Sequence, residues 1–339
     1  MTKRVGLRLV FGAAWMGLCV AGACAQGSEL LVVNQGDSDV SFVDAATARQ
    51  VATVAEGTPG IHGHEIAVSA DGRTAYLPIY GSSGVGKPGL SGRTMLVIDV
   101  PSRKVVGKVD FGHEVRPHQP VLDPASGLLY VTTELDESVT VIDPRTLKIV
   151  GAVPTGQEES HMLVLSHDGR LGYTANVGPG TVSVLDMAER KTVAVIPVSR
   201  TVQRISISND DMLVFTSDQA KPRLAVIDTG TKTVKGWVEL PGLGYGTAST
   251  RDGRWLLVAV PGAKVVAVVD LSSMKVARTI AVPAMPQEIL VRPDGLVAYV
   301  SCNTSGKVAA IDLLGEMAQW KVESLIATGK LADGLGWAR

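Results

Sequence analysis

Three of the six histidines, His64, His118 and His161, recur at one position of consecutive segments, 54 and 43 residues apart. Neutral imidazole is the commonest protein metal ligand. Three His around an open position form a catalytic-metal arrangement for zinc and other first-row ions. The same position continues through Gln203, Tyr245, Gln287 and Asp333 at spacings of 42, 42, 42 and 46. Gln203, Gln287 or Asp333 could supply an oxygen ligand or orient a bound water. A divalent transition metal held there (Zn, Mn or Cu) would act as a Lewis acid or lower the pKa of its water. Tyr245 is the candidate acid or base. Arg116 and Arg204, beside the same position, suit a planar carboxylate. His62, His113, Glu158, Glu159 and Arg200 stand in or beside the adjoining loops. A histidine here can equally bond neighbouring backbone, so structural, metal-binding and metal-free ligand-binding readings all stay open.

Other reactive residues carry less. Gly81–Pro88 approaches a phosphate-binding loop, but Pro88 replaces the hydroxyl and no helix follows. It reads as a Gly-rich flap within an insertion over 81–92, leaving the rim opposite the histidines. Cys302 reads as a small buried hydrophobe, a strand end away from the histidines. His167, in a turn, reads as surface. Ser160 beside His161 suggests a nucleophile pair, but successive strand residues point to opposite faces.

The elements that must position these residues are strands. A β-branched run ending in Asp recurs seven times, at Asp44, Asp99, Asp143, Asp186, Asp228, Asp270 and Asp312, with spacings of 55, 44, 43, 42, 42 and 42. A fixed period of this size marks a repeat architecture. Each unit reads as four short strands between Gly, Asp and Pro turns. The fourth unit shows them at 162–166, 172–176, 181–186 and 191–197. Radial packing of such sheets gives an all-β, single seven-bladed propeller with four antiparallel strands per blade. The first unit begins with its second strand, Glu29–Asn34, so the C-terminal segment 333–338 is expected to close the first blade. Asp44, Asp143, Asp228 and Asp270 each precede Ser or Thr by three residues, which makes them turn caps. The histidine position falls where the innermost strand enters, at the rim of the central channel.

The repeat resembles the YVTN family of β-propellers. The residues that carry this are Tyr299-Val300-Ser301-Cys302, Tyr130-Val131-Thr132-Thr133 and Tyr173-Thr174-Ala175-Asn176, with Gly63-His64-Glu65 leading to Ser69-Ala70-Asp71-Gly72 and Pro286-Gln287-Glu288 leading to Pro293-Asp294-Gly295. The resemblance covers nearly all of the chain after the first 25 residues and implies the fold. Similar proteins are surface-layer proteins, lactonase-like enzymes, haem d1 domains and periplasmic proteins, so it does not fix an activity.

Residues 1–25 read as a signal peptide: Lys3, Arg4 and Arg8, then apolar residues to Ala21, then Ala23-Cys24-Ala25. The apolar run is short for a bilayer span. Lipidation at Cys24 is the alternative. The expected mature domain is 26–339, periplasmic or secreted. Cleavage would remove three cations and no acids, taking the net charge from −1 to −4. Cys302 would then be the remaining cysteine, leaving no intrachain disulfide. Covalent haem is not expected, because no Cys-x-x-Cys-His is present, nor is nucleic acid, because there is no basic cluster. The functional expectation is an exported propeller binding a small, anionic or metal-chelating ligand at the histidine mouth, as a metal-dependent lyase or hydrolase. The alternatives are a non-enzymatic scaffold docking proteins on its rim and a metal-free lactonase-like hydrolase.

Overall fold

The computed structural model describes residues 27–339 together with Met1 and Thr2; the predicted signal peptide otherwise lies outside the described residues. Seven sheets form the blades of a propeller, in which consecutive strands pair antiparallel from the innermost outward. The blades after the first begin at His62, Pro117, Ser160, Val202, Thr247 and Pro286. The first blade is closed as expected: Ala332–Ala338 pairs with Glu29–Asn34 from Glu29 opposite Ala338 to Asn34 opposite Ala332. The first sheet therefore holds both ends of the described ring.

Burial explains the sequence pattern within a blade. Second strands such as Glu29–Asn34 and Trp255–Val260 are buried along their whole length, because neighbouring blades cover both faces. They read as continuous apolar runs for that reason. Outer strands such as Lys104–Asp110 are exposed except at half-buried Gly107 and buried Val109. The core lies between blades: Phe215 and Val226 of the fifth pack with Leu256, Val258 and Val269 of the sixth. Burying one such side chain stabilises the fold by about 1.5–3 kcal/mol.

The repeated Asp residues are turn caps. Asp44 accepts from Thr47 N at 2.7 Å, Asp228 from Thr231 N at 2.9 Å, Asp143 from Arg145 N at 2.9 Å and Asp270 from Ser272 N at 2.8 Å.

Where the inner strands approach the axis, the backbone crowds. Gly334 N donates to His64 O at 2.8 Å, and Gly246 N to Gln287 O at 3.0 Å. A Cβ at these glycines would stand 2.3 and 2.1 Å from the same carbonyl oxygens, so no larger residue fits without backbone movement.

Candidate functional site

Each channel-facing residue is placed by an irregular strand entry. In the fifth blade Gln203 pairs with Ser217 and Ile205 with Thr216, leaving Arg204 extra, with φ of 61°. This is a β-bulge, which re-aims side chains that regular alternation would send to opposite faces. The fourth blade repeats it between Ser160 and Met162. In the second blade the inner strand is interrupted between Gly63 and Ala67. Two successive positions can therefore face the channel. Behind His64, His118, His161, Gln203, Tyr245, Gln287 and Asp333 stands a second ring: Glu65, Gln119, Met162, Arg204, Gly246, Glu288 and Gly334.

A cavity of about 290 Å³ opens at this end. His64, His118, His161, Gln203, Tyr245, Gln287 and Asp333 all line it, as do His62, Arg204, Gln35 and Asn303. The structure thus brings together every candidate from the histidine position. Arg116 stands behind the wall.

The imidazoles form one cluster. His118 and His161 have ring centroids 3.6 Å apart, His64 and His118 5.3 Å, and His62 stacks on His64 at 5.1 Å. Tyr80 packs at 4.7 Å from His64 and 5.1 Å from His118. Burial holds His62 below the usual histidine range, and burial with neighbouring charge holds His64 and His118 well below it. These three rings are neutral at pH 7, with a lone pair on one nitrogen each. His161 Nδ1 bonds Glu134 Oε1, and Glu134 Oε2 accepts from the Tyr80 hydroxyl at 2.8 Å.

Opposite stands a charged cluster. Arg204 donates to Glu65, to Glu288 at 2.7 Å and to Asp333 at 3.2 Å, and lies over the Tyr245 ring at 4.8 Å. Asp333 also accepts from Gln35, and Gln203 donates to the Tyr245 hydroxyl at 2.8 Å. Burial, outweighing the Arg204 charge, raises Glu288 to about 8. Burial and the Glu65 charge raise Asp333 to about 7. Burial also raises Tyr245, so its phenol stays protonated at neutral pH.

Seven buried side-chain polar atoms lack a partner among the described residues, and four belong to this cavity: His62 Nδ1, His64 Nε2, His118 Nδ1 and Arg204 Nε. Native proteins partner nearly all such atoms, and each exception calls for an explanation. No group of three or more His, Cys, Asp or Glu among the described residues is arranged to hold a metal ion.

The flap is not where the sequence placed it. Ser82, Ser83, Gly84 and Val85 line the histidine cavity. The end of a second strand lies beside the entry of the first in an antiparallel pair, so the insertion leaves the same rim: Gly81 pairs with His62. Arg116 fastens it, donating to Lys87 O and Ser91 Oγ, both at 3.0 Å. Cys302 likewise pairs with Pro286, one residue from Gln287, rather than a strand length away. It is nonetheless fully buried in an apolar cluster, and burial pushes its thiol up to about 12. Ser160 Oγ bonds Thr155 Oγ1 at 2.7 Å and Asn176 Oδ1 at 2.8 Å, a structural role. His167 is exposed and pairs with Asp211 at 2.6 Å. His113 pairs with Asp136 at 2.8 Å.

Sequence reasoning missed Tyr80, Glu134, Glu65 and Glu288. Glu65, Arg204 and Glu288 share one repeat position, directly after the histidine position. Gln35, Glu134 and Asn303 share another, directly after a second strand.

Residues 123–241, about a third of the chain, match the family model described as the cytochrome D1 heme domain. A curated relative, the uncharacterized protein YncE of Salmonella typhi, is 26% identical over 213 residues, 60% of each chain, so the match spans less than two thirds of that relative's length. Among solved structures, Kuenenia stuttgartiensis hydrazine synthase gives a TM-score of 0.73 at 19% identity, covering 85% of this chain and 93% of that one. A functionally unknown protein from Desulfotomaculum acetoxidans gives 0.74 at 14% identity, covering 92% and 99%. The dihydro-heme d1 dehydrogenase NirN in complex with DHE gives 0.63 at 18% identity, covering 88% and 63%. The structural likenesses show the fold, a seven-bladed β-propeller, and the repeat and the partial family match make this chain similar to YVTN and haem d1 propellers.

Proposed function

We propose that this protein is an exported propeller that binds a small ligand at the histidine mouth of its channel, beneath the 81–92 flap. The observation that carries this is the gathering of four unpartnered buried polar atoms in one cavity. A buried polar group left unpaired costs about 1–3 kcal/mol. Three such imidazole nitrogens are best explained as waiting for a partner from outside the chain. A neutral imidazole offers one donor and one acceptor nitrogen, and the Arg204 guanidinium, bonded to Glu65, Glu288 and Asp333, keeps its Nε–H unpartnered. The Arg116 guanidinium is turned to the flap. An anion, expected from the sequence, would meet in Arg204 a cation already bonded to three acidic side chains, so among the described residues the wall suits a neutral ligand better. Export rests on residues outside those described, and no described helix is long and apolar enough to cross a membrane.

Haem d1, which the family model implies, fits these residues poorly. Glu65, Glu288 and Asp333 take up the Arg204 donors that would hold its acidic side chains, and about 290 Å³ stands at the lower edge of the common range of ligand pockets. No step is derived through it.

A second reading is favoured by the carboxylate on His161, an arrangement common behind metal-ligating imidazoles. Here His64, His118 and His161, with Gln203 or Gln287, would hold a Zn, Mn or Cu ion once the rings turned to converge. Such an ion would supply Lewis-acid chemistry to a lyase or hydrolase, with Tyr245 as the acid. Zinc titration of untagged protein separates the two readings. Stoichiometric binding lost in H118A supports the metal site; no binding in either leaves metal-free ligand capture. A scaffold that docks proteins on its rim predicts that H64L/H118L leaves every binding property unchanged.

A further inference from the structure

We infer that Glu134 is a positioning residue that fixes His161 as its Nδ1–H tautomer, so that Nε2 presents a lone pair to the cavity. The inference deepens the ligand-site reading above and rests on it for its purpose. The hydrogen-bond directions follow from donor inventory. A carboxylate oxygen only accepts, so the Tyr80 hydroxyl donates to Glu134 Oε2 at 2.8 Å, with the Arg116 guanidinium over the Tyr80 ring at 5.8 Å. Burial and the Glu134 charge hold the Tyr80 phenol above its usual range, which keeps that hydrogen in place. Glu134 acts on Tyr80 as a negative charge, and as a carboxylate its second oxygen also accepts; the atom facing it is His161 Nδ1. Nδ1 carries the proton.

The whole chain is buried: Tyr80 is fully covered, His161 is 3% exposed and Glu134 4%. Water does not compete, and the far ring nitrogen is set by the bond at the near one. His161 Nε2 then stands beside the unpartnered His64 Nε2 and His118 Nδ1. A ligand group meeting His161 Nε2 must offer a hydrogen-bond donor or an electron-pair acceptor.

The test is long-range nitrogen–proton NMR of ¹⁵N-histidine-labelled full-length protein after export, near pH 7.5, without added ligand. Wild type is expected to show His161 Nδ1 in the protonated, pyrrole-type range and Nε2 in the unprotonated, pyridine-type range. E134Q, nearly isosteric, offers an amide N–H toward Nδ1 and is expected to exchange the two ranges. Y80F keeps Glu134 and is expected to keep the wild-type pattern. Wild-type His161 protonated at Nε2, or E134Q with an unchanged pattern, overturns the inference. Should E134Q fail to fold, the wild-type spectrum alone decides. Because the readout needs no ligand, failure of the ligand-site reading leaves it standing, and its own failure leaves that reading intact.

Discussion

His118 and His161 come from adjacent blades, yet their ring centroids lie 3.6 Å apart, tilted by 34°. Two protonated imidazoles could not share that space, and burial keeps His118 neutral. A core built for stability alone would fill the position with apolar side chains. H118L and H64L should therefore each stabilise the fold, by about 1 kcal/mol in urea denaturation, because an unpartnered buried nitrogen is removed. Loss of stability in both would show that the rings have partners within the protein.

Arg204 is bonded to the carboxyls of Glu65, Glu288 and Asp333. R204M should cost about 3–5 kcal/mol at pH 8, where these carboxyls are most ionised, since breaking a buried cluster from one side leaves uncompensated charge. A chemical-denaturation comparison at pH 5 and pH 8 should show the deficit shrinking at the acid value.

The wild-type pH profile has a defined sign. Glu56 and Asp333 are raised to about 7 and Glu288 to about 8. The folded protein keeps these protons where the unfolded chain, titrating near 4, has lost them. Their contribution is complete below about pH 4 and disappears as pH rises through 7–8. His62, His64 and His118 act in the opposite sense: held low, they oppose folding as pH falls below about 6.5. The two sets offset each other between pH 5 and 6.5. Stability should then fall, on the order of 1–2 kcal/mol, between pH 6.5 and 8. E288Q should flatten that fall; a rise over the same interval would contradict the assignment.

Ring closure depends on the last strand, where Trp337 stacks on Tyr299 of the seventh blade at 5.8 Å between centroids. Deleting 332–339 exposes the second strand of the first blade and should lower the melting temperature of the whole ring in one cooperative transition. Retention of the full melting temperature would contradict the topology.

The fold was legible because seven apolar runs end in an Asp that caps a turn, and both features follow from local chemistry. The channel rim was half legible. The histidine position could be read by period alone. The second ring could not, because strict alternation sends Arg204 away from Gln203, and only the bulge at that entry turns both inward. Glu134 and Tyr80 were hidden for another reason: each sits at or just past the end of an apolar second strand, where side chains ordinarily serve packing. The rim of the flap was hidden because it follows from the antiparallel return that sets Gly81 beside His62, a pairing that no local residue pattern marks.

The central claim is that the unpartnered histidines of the channel mouth receive a ligand. Native mass spectrometry and elemental analysis of untagged, exported protein test it most directly, comparing wild type with H64L/H118L. The account predicts one bound small molecule or metal ion per wild-type chain and a bare chain in the double variant. Bare mass in both, or the same adduct in both, would contradict it.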